Sequence, residues 1–219
     1  PAPNLLSHLK GQVLFIGQVR GRGDDLYRKL VDRLRKIDPA MKLPVEPSQL
    51  ERLQLAVWVI ESEKASIQGT GFWLEGVGLV TNDHVVEDDS VGYSILTPLD
   101  RHVLTVVARD PHRDLAILEI MGKKPEGLPR GDPSKLRHFS PVTVAGFPSH
   151  SSGADLMMMR AQYIGRKNRF GVKCFIIDAG ITAGNSGGPV LNSNDEVVGV
   201  AVTGGATLQE TKAAVEYGV

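Results

Sequence analysis

From residue 50 onward the sequence is a rapid succession of short apolar segments, and this pattern restricts the fold more than any other feature. Segments such as "LQLAVWVIES", "GVGLVTNDHVV" and "DLAILEI" are rich in Val, Ile and Leu and are separated by Gly, Asp, Ser and Pro. Such runs are typical of β-strands bounded by turns. Long helical patterns do not alternate with them, so a parallel α/β sheet is not expected. The sequence predicts an all-β, antiparallel fold.

A stretch rich in proline and glycine divides this β region. "GKKPEGLPRGDPSKL", residues 122–136, contains three prolines and three glycines, as a connection between domains would. A second series of apolar segments follows, from "PVTVAGF" to "PVLNSNDEVVGVAV". We therefore expect one antiparallel unit at residues 50–133 and another at residues 134–219. The terminal "VEYGV" looks like the beginning of a last strand, so the second unit could be truncated there.

Residues 1–49 differ from the rest and form a predicted N-terminal extension. In "DDLYRKLVDRLRKIDP" apolar residues recur at spacings of 4, 4 and 3, which places them on one face of a helix whose remaining surface is basic. These apolar residues are Leu26, Leu30, Leu34 and Ile37. Two interpretations stay open. The helix either docks on the body with a solvated outer face, or it offers a contact surface to a regulatory partner.

Charge and cysteine content narrow the classes of protein further. Lys and Arg number 25, as do Asp and Glu, whereas a nucleic-acid-binding protein normally carries a basic excess. The one cysteine, Cys174, cannot form an intramolecular disulfide, so we expect a reducing, cytoplasmic location. The periplasm is the alternative, because the chain begins at Pro1 and a leader could have been removed. No apolar run approaches the roughly 18 residues of a membrane span.

The segment "AGNSGGPV", residues 183–190, surrounds Ser186 with glycines and ends in a proline. One interpretation is structural, since glycine permits a tight turn and proline ends it. The other is chemical. A nucleophilic hydroxyl needs open access, and backbone N–H groups beside it can hold the negative charge that develops on a substrate oxygen.

A nucleophilic serine needs a base, and the base needs an orienting acid. Among six histidines, His84 stands where the apolar run of "LVTNDHVV" enters a turn, as a rigidly held base would. Asp114 opens the apolar segment "DLAILEI", where a partly buried carboxylate needs a hydrogen-bond donor such as a histidine N–H. Acidic residues nearer to His84 in sequence are interpreted as turn residues: Asp83, Glu87, Asp88 and Asp89.

"TNDHVV", "RDLAILEI" and "GNSGGPV" resemble the three active-site blocks of trypsin-like serine peptidases, most of all those of the HtrA/Deg branch. The order His84, Asp114, Ser186 is also that of the chymotrypsin arrangement. The resemblance covers about residues 50–219. It implies a double barrel of two antiparallel six-stranded β-barrels, hydrolysis of peptide bonds in a protein or peptide substrate, and neither cofactor nor metal. Most HtrA proteins carry a PDZ domain, and we expect a protein without one.

By this resemblance Ser186 is the nucleophile, His84 the general base and Asp114 the orienting carboxylate. The oxyanion hole falls on the backbone of Gly184, Asn185 and Ser186, with the N–H groups of Gly184 and Ser186 as donors. Asn185 stands where digestive trypsins have the aspartate that pairs with a freed N-terminal amine. The resemblance to the HtrA/Deg branch implies control by loop ordering or by a partner. The alternative is a binding module with this fold whose catalytic site is latent.

The substrate pocket is predicted from its distance to Ser186. Six residues before it, where trypsins place an aspartate that reads lysine and arginine, this chain has Gly180. Further pocket candidates are Ile181, Val200 and Val202. They favour a small or medium aliphatic side chain before the scissile bond. Asp178 is interpreted as structural; a basic preference would return if it pointed into the pocket.

Overall fold

The computed structural model describes residues 49–151, 154–169, 171–202 and 213–215. The predicted basic helix of the N-terminal extension lies outside the described residues. A short helix, α1 (Gln49–Ala56), leads directly into the first strand. No helix in the described part of the chain is long and apolar enough to cross a membrane.

The first sheet is antiparallel and has seven strands in the spatial order β5-β4-β1-β2-β3-β7-β6. Its strands are β1 (Val57–Ser62), β2 (Ile67–Leu74), β3 (Gly78–Thr81), β4 (Val91–Tyr93), β5 (His102–Val103), β6 (Thr105–Asp110) and β7 (Leu115–Glu119). A short 3-10 helix, Asp83–Val85, follows β3 and carries His84.

The predicted count of six strands is corrected here to seven, because the segment after β4 is interrupted at Leu104. The Leu104 side chain is buried, and its N–H donates at 3.1 Å to the carbonyl oxygen of Ser90, the residue just before β4. On one side of this residue β5 pairs with β4, and on the other side β6 pairs with β7. The two outermost strands are therefore consecutive in the chain, and the sheet curls until its edges are linked through a single residue.

The second sheet is a closed antiparallel barrel of six strands, as predicted, in the order β10-β13-β12-β11-β8-β9. Its strands are β8 (Pro141–Gly146), β9 (Met157–Arg169), β10 (Val172–Ile177), β11 (Pro189–Leu191), β12 (Val197–Val202) and β13 (Ala213–Val215). The short β13 pairs with both β10 and β12 and so closes the barrel. The all-β, double-barrel fold class is confirmed.

Both faces of β1 are buried, which explains its unbroken apolar run. Trp58 and Ile60 point into the interior of the first sheet. Val57 and Val59 point the other way, into a cluster that also contains Ala145 of β8 and residues of β11 and β12. This second cluster therefore joins the two sheets, and the neighbouring strand β2 lies at the same junction. The free Cys174 is buried in the second barrel.

Candidate active site

His84 and Asp114 form a bidentate contact at one end of the first sheet. The Nδ1 atom of His84 lies 2.7 Å from Oδ2 of Asp114. The backbone N–H of His84 also donates to Oδ1 of the same carboxylate, at 3.0 Å. An ionised carboxylate only accepts, so Nδ1 carries the proton and Nε2 is left as the acceptor. The histidine is thus held in the tautomer that a general base requires.

The local backbone explains why these two residues meet. Strands β3 and β7 are neighbours, with Thr81 opposite Ala116, so the residues just after β3 and just before β7 share one edge of the sheet. Asp114 adopts a left-handed conformation (φ +55°), which aspartate tolerates better than most residues. The Asn82 side chain donates to the Asp114 carbonyl oxygen at 2.8 Å and fixes this turn.

Two of the acidic residues near His84 in sequence are engaged elsewhere. Asp83 accepts from Arg109 at 3.3 Å. Asp89 accepts from the Ser62 hydroxyl at 2.6 Å and from the Lys64 N–H, and these hydrogen bonds lower its pKa. They serve as turn and loop residues, in agreement with the sequence interpretation.

The turn that presents Ser186 requires glycine on both sides of the serine. Gly184 has φ +94° and Gly187 has φ +85°, both in the left-handed region that other residues rarely adopt. An added Cβ would lie 2.3 Å from the Phe147 carbonyl oxygen at position 184, and 2.1 Å from the Thr70 carbonyl oxygen at position 187. The turn is therefore packed tightly against the chain around it, and Ser186 is 3% exposed.

Strand β2 brings the Ser186 turn beside the His84 helix. The Thr70 N–H donates to the Ser186 carbonyl oxygen at 2.8 Å. A Cβ added to Gly69 would lie 2.5 Å from the Val85 side chain and 3.1 Å from the Ser186 carbonyl oxygen. One residue of β2 therefore touches both the neighbour of His84 and Ser186 itself. The Ser186 turn and the short helix that carries His84 therefore both adjoin strand β2 at the junction of the two sheets.

The peptide units on either side of Gly184 are both held by hydrogen bonds. The Ala183 carbonyl oxygen accepts from the Ser149 N–H at 3.1 Å, and the Gly184 carbonyl oxygen accepts from the Thr70 hydroxyl at 2.6 Å. The C=O and N–H of a trans peptide point in opposite directions, so the Gly184 N–H is directed away from Ser149. Among the described residues, this N–H bonds to no backbone acceptor.

Asn185 takes a different part in the same turn. Its N–H donates to the Thr182 carbonyl oxygen at 3.1 Å, which directs this donor into the turn rather than toward a substrate. Its side chain is buried, and its Oδ1 has no hydrogen-bond partner among the described residues. Of the three residues predicted for the oxyanion hole, Gly184 and Ser186 therefore remain as candidate donors.

The four predicted pocket residues do not share one surface. Gly180 is exposed, with open space where a Cβ would stand. Ile181 belongs to the core of the second barrel, and Val200 to the cluster that joins the sheets. Val202 is partly buried and packs against Val172 and Cys174. Because Ile181 and Val200 are buried in these clusters, they could affect the shape of a pocket only by supporting the residues that line it.

Asp178 is tied to the neighbouring strand. Its Oδ1 accepts from the Gln162 N–H at 2.6 Å, while the Asp178 N–H donates to the Gln162 carbonyl oxygen at 3.1 Å. This reciprocal pair fixes the side chain along β9, consistent with the structural role expected for it.

Thr70 and Ser149 are site residues that the sequence patterns do not reveal. Thr70 lies between two glycines in "QGTGF", which is a weak signal of close backbone approach. Ser149 lies in a loop without a recognisable motif. In the described part of the chain, no group of three or more His, Cys, Asp and Glu side chains is arranged to hold a metal ion.

Solved protease structures have the same fold. The HtrA-type protease AlgW with a tripeptide superposes with a TM-score of 0.65 at 22% identity, covering 78% of this chain and 60% of that one. The active form of the Rv3671c protease from M. tuberculosis gives a TM-score of 0.61 at 22% identity, covering 82% of this chain and 87% of that one. At these identities the similarity concerns the fold.

Curated relatives agree with the fold. A "probable periplasmic serine endoprotease DegP-like" of Chlamydia pneumoniae is 32% identical over 157 residues, which are 70% of this chain and 30% of the relative. A protein of the same name from Bartonella henselae is 36% identical over 139 residues, which are 60% of this chain and 27% of the relative. The chain thus spans less than a third of the length of these relatives. A model of the trypsin-like peptidase domain matches residues 69–200. The chain belongs to the trypsin-like peptidase family.

Proposed function

We propose that this protein is a serine endopeptidase in which Ser186 is the nucleophile, His84 the general base and Asp114 the residue that orients the base. One observation carries the proposal: a single carboxylate holds both the ring Nδ1 and the backbone N–H of His84. That arrangement fixes the tautomer and the direction of the imidazole, beside a glycine turn whose serine lies at the same junction.

The reaction follows from these roles. The Ser186 hydroxyl oxygen attacks the carbonyl carbon of the scissile peptide bond, and its proton passes to Nε2 of His84. The Asp114 carboxylate stabilises the imidazolium that forms. His84 then protonates the leaving amine, the C–N bond breaks, and the acyl group remains on Ser186. A water molecule, deprotonated by His84, attacks this ester, releases the acid product and restores the serine.

The N–H groups of Gly184 and Ser186 are proposed to stabilise the oxyanion. The Gly184 N–H is supported by its orientation, since the Ala183 carbonyl on the same peptide unit is held by Ser149. Loss of one such donor typically costs about 2.7–4 kcal/mol of transition-state stabilisation.

The substrate is proposed to be a protein or peptide, with a small or medium aliphatic residue before the scissile bond. Gly180 lies six residues before Ser186, at the predicted substrate pocket. It is exposed and carries no side chain there. Asp178 is occupied by the Gln162 N–H, so it does not supply the negative charge that a lysine or arginine would need. Cleavage of a peptide library tests this preference, and dominant cleavage after Lys or Arg would contradict it.

The place of action is proposed to be the periplasm. The relatives from Chlamydia pneumoniae and Bartonella henselae are named periplasmic, and the cytoplasmic location expected from the single cysteine receives no support from them.

Control through the N-terminal extension stays a prediction. Labelling of Ser186 that increases when residues 1–49 are removed would support it, and unchanged labelling would contradict it.

Reaction with a fluorophosphonate probe tests the proposed activity directly. Wild type is expected to be labelled on Ser186 and to degrade casein, and Ser186→Ala to do neither while unfolding at the same temperature as wild type. If wild type is neither labelled nor active, with or without residues 1–49, the protein is instead a binding module with this fold.

A further inference from the structure

Thr70 contacts both the Ser186 turn and the strand that leads to His84. Thr70 lies on β2, is fully buried, and uses every polar group that it has. Its N–H donates to the Ser186 carbonyl oxygen at 2.8 Å, and its carbonyl oxygen accepts from the Thr81 hydroxyl at 2.7 Å. Thr81 ends the strand that leads to His84. The backbone of Thr70 thus links the nucleophile turn to the strand of the base.

The Thr70 hydroxyl has two further partners, both close to the oxyanion hole. It donates to the Gly184 carbonyl oxygen at 2.6 Å. It accepts from the Phe147 N–H at 3.1 Å. One oxygen atom therefore connects the Ser186 turn with the loop that follows β8, although these segments are far apart in the chain.

The loop after β8 holds the peptide unit that precedes Gly184. Two residues beyond Phe147, the Ser149 N–H holds the Ala183 carbonyl oxygen at 3.1 Å. The Phe147 carbonyl oxygen is itself fixed by the side chain of Gln68, at 3.1 Å. Both peptide units that flank Gly184 are thus tied to the Thr70 hydroxyl, one directly and one through Phe147 and Ser149.

We propose that Thr70 is a positioning residue whose hydroxyl sets the direction of the Gly184 N–H in the oxyanion hole; this inference rests on the proposed peptidase activity. Thr70 does not touch the reacting atoms. Without the hydroxyl, the Gly184 carbonyl and the Phe147 N–H would both lose a buried partner, and the turn could relieve this only by rotating the peptide units that aim the donor.

Two substitutions separate the hydroxyl from the shape of the side chain. Thr70→Val keeps the branched shape and the buried volume, but its side chain can neither donate nor accept a hydrogen bond. Thr70→Ser keeps the hydroxyl. Ser94→Ala is the matched control, because the Ser94 hydroxyl is also buried and donates to a backbone carbonyl, that of Gln54, at 2.7 Å.

The kinetic readout is kcat per active site, with the sites counted by titration with a fluorophosphonate. Removing an oxyanion-hole donor lowers kcat by about 10²–10³-fold, so Thr70→Val, which only misdirects one, is expected to lose about 10–100-fold with little change in KM. Affinity for a peptide boronate, which forms a tetrahedral adduct, should fall by the same factor. Thr70→Ser should recover most of the loss, and Ser94→Ala should keep the kcat of wild type. A wild-type kcat in Thr70→Val, or an equal loss in Thr70→Ser, would overturn the proposal.

Amide hydrogen exchange tests the positioning role independently of turnover. Thr70→Val should speed exchange in residues 183–187 and 147–149, while α1 and the interior of the first sheet keep their wild-type protection. Ser94→Ala should leave those two segments unchanged. If wild type proves inert, the proposed function fails, but the exchange pattern still decides the role of Thr70: unchanged exchange in both segments would refute it.

Discussion

The carboxylate of Asp114 accepts two hydrogen bonds from a single residue, His84: one from the ring Nδ1 at 2.7 Å and one from the backbone N–H at 3.0 Å. The backbone bond fixes the distance between the two chain segments, and the side-chain bond fixes the rotation of the ring. Because the His84 side chain remains 48% exposed, the contact with Asp114, rather than packing, determines where the imidazole points.

Asp114→Asn is expected to lower kcat by about 10³–10⁴-fold, as loss of the acid does in Ser-His-Asp sites. An amide has one acceptor oxygen for the two donors of His84, so its NH2 group would face the ring and favour the wrong tautomer. Steady-state kinetics on a fluorogenic peptide measures the effect. Asp89→Asn is the control, because Asp89 bonds Ser62 and Lys64 instead, and it should keep the kcat of wild type. A loss of less than tenfold in Asp114→Asn would contradict the assigned role.

Gly187→Ala is expected to lower the unfolding temperature sharply and to abolish labelling by a fluorophosphonate. The added Cβ would overlap the Thr70 carbonyl oxygen and the Thr81 hydroxyl, so the Ser186 turn would have to move. Gly76→Ala is a matched control, since Gly76 has a similar positive φ but nothing within 4 Å of an added Cβ. The control should lose only the roughly 1–2 kcal/mol of backbone strain and keep full labelling. Equal effects of the two substitutions would show that packing around Gly187 is unimportant.

Asp89→Asn is expected to destabilise the fold at neutral pH, with an effect that fades in acid. Hydrogen bonds from the Ser62 hydroxyl and the Lys64 N–H lower the pKa of Asp89 below its usual 3.8. A carboxyl whose pKa is lower in the folded state contributes stability above the unfolded pKa and loses it as the pH falls through the folded value. Thermal unfolding from pH 7 to pH 2 should therefore show the curves of mutant and wild type converging below about pH 4. A constant difference over this range would disprove the ionic origin of the effect.

The strands and the three catalytic candidates could be predicted because their signals are local in sequence. "DLAILEI" marks β7 by composition, and its first residue, Asp114, is placed by the strand start alone. His84 and Ser186 likewise lie within short motifs whose backbone shape depends on adjacent residues. The seventh strand was not predictable in this way, because the pairing partner changes from β4 to β7 on either side of Leu104, and a local sequence pattern does not show which strand a residue pairs with.

Contacts between segments that are distant in the chain cannot be predicted from local sequence patterns. The Thr70 hydroxyl and the Gly184 carbonyl are 114 positions apart in the chain, and no spacing rule connects them. The pocket shows the same limit. Counting from Ser186 finds residues such as Ile181 and Val200, but whether a side chain faces substrate or core depends on the curvature of the barrel, and both are buried.

His150 is expected to make the fold less stable in mildly acidic solution. Its ring lies against those of Phe147 and Tyr93, with centroid distances of 5.5 Å and 6.2 Å, and its buried Nδ1 has no partner among the described residues. Burial lowers the pKa of His150 from its usual 6.5, while the nearby Glu61 carboxylate opposes part of this effect. Arg101 is the other charged group of this cluster, since it pairs with Glu61 over the Tyr93 ring.

A histidine whose folded pKa is lowered contributes stability above its unfolded pKa, and this contribution is lost as the pH falls below about 6.5 toward the folded value. His150→Phe keeps an aromatic ring in the pocket but cannot bind a proton there. The unfolding temperature of wild type should thus fall more steeply than that of His150→Phe between pH 7.5 and pH 5. His112→Gln is the control, because His112 is in an exposed turn, and it should follow the wild-type curve. Parallel curves for wild type and His150→Phe would show that His150 takes up its proton equally well in the folded and unfolded chain.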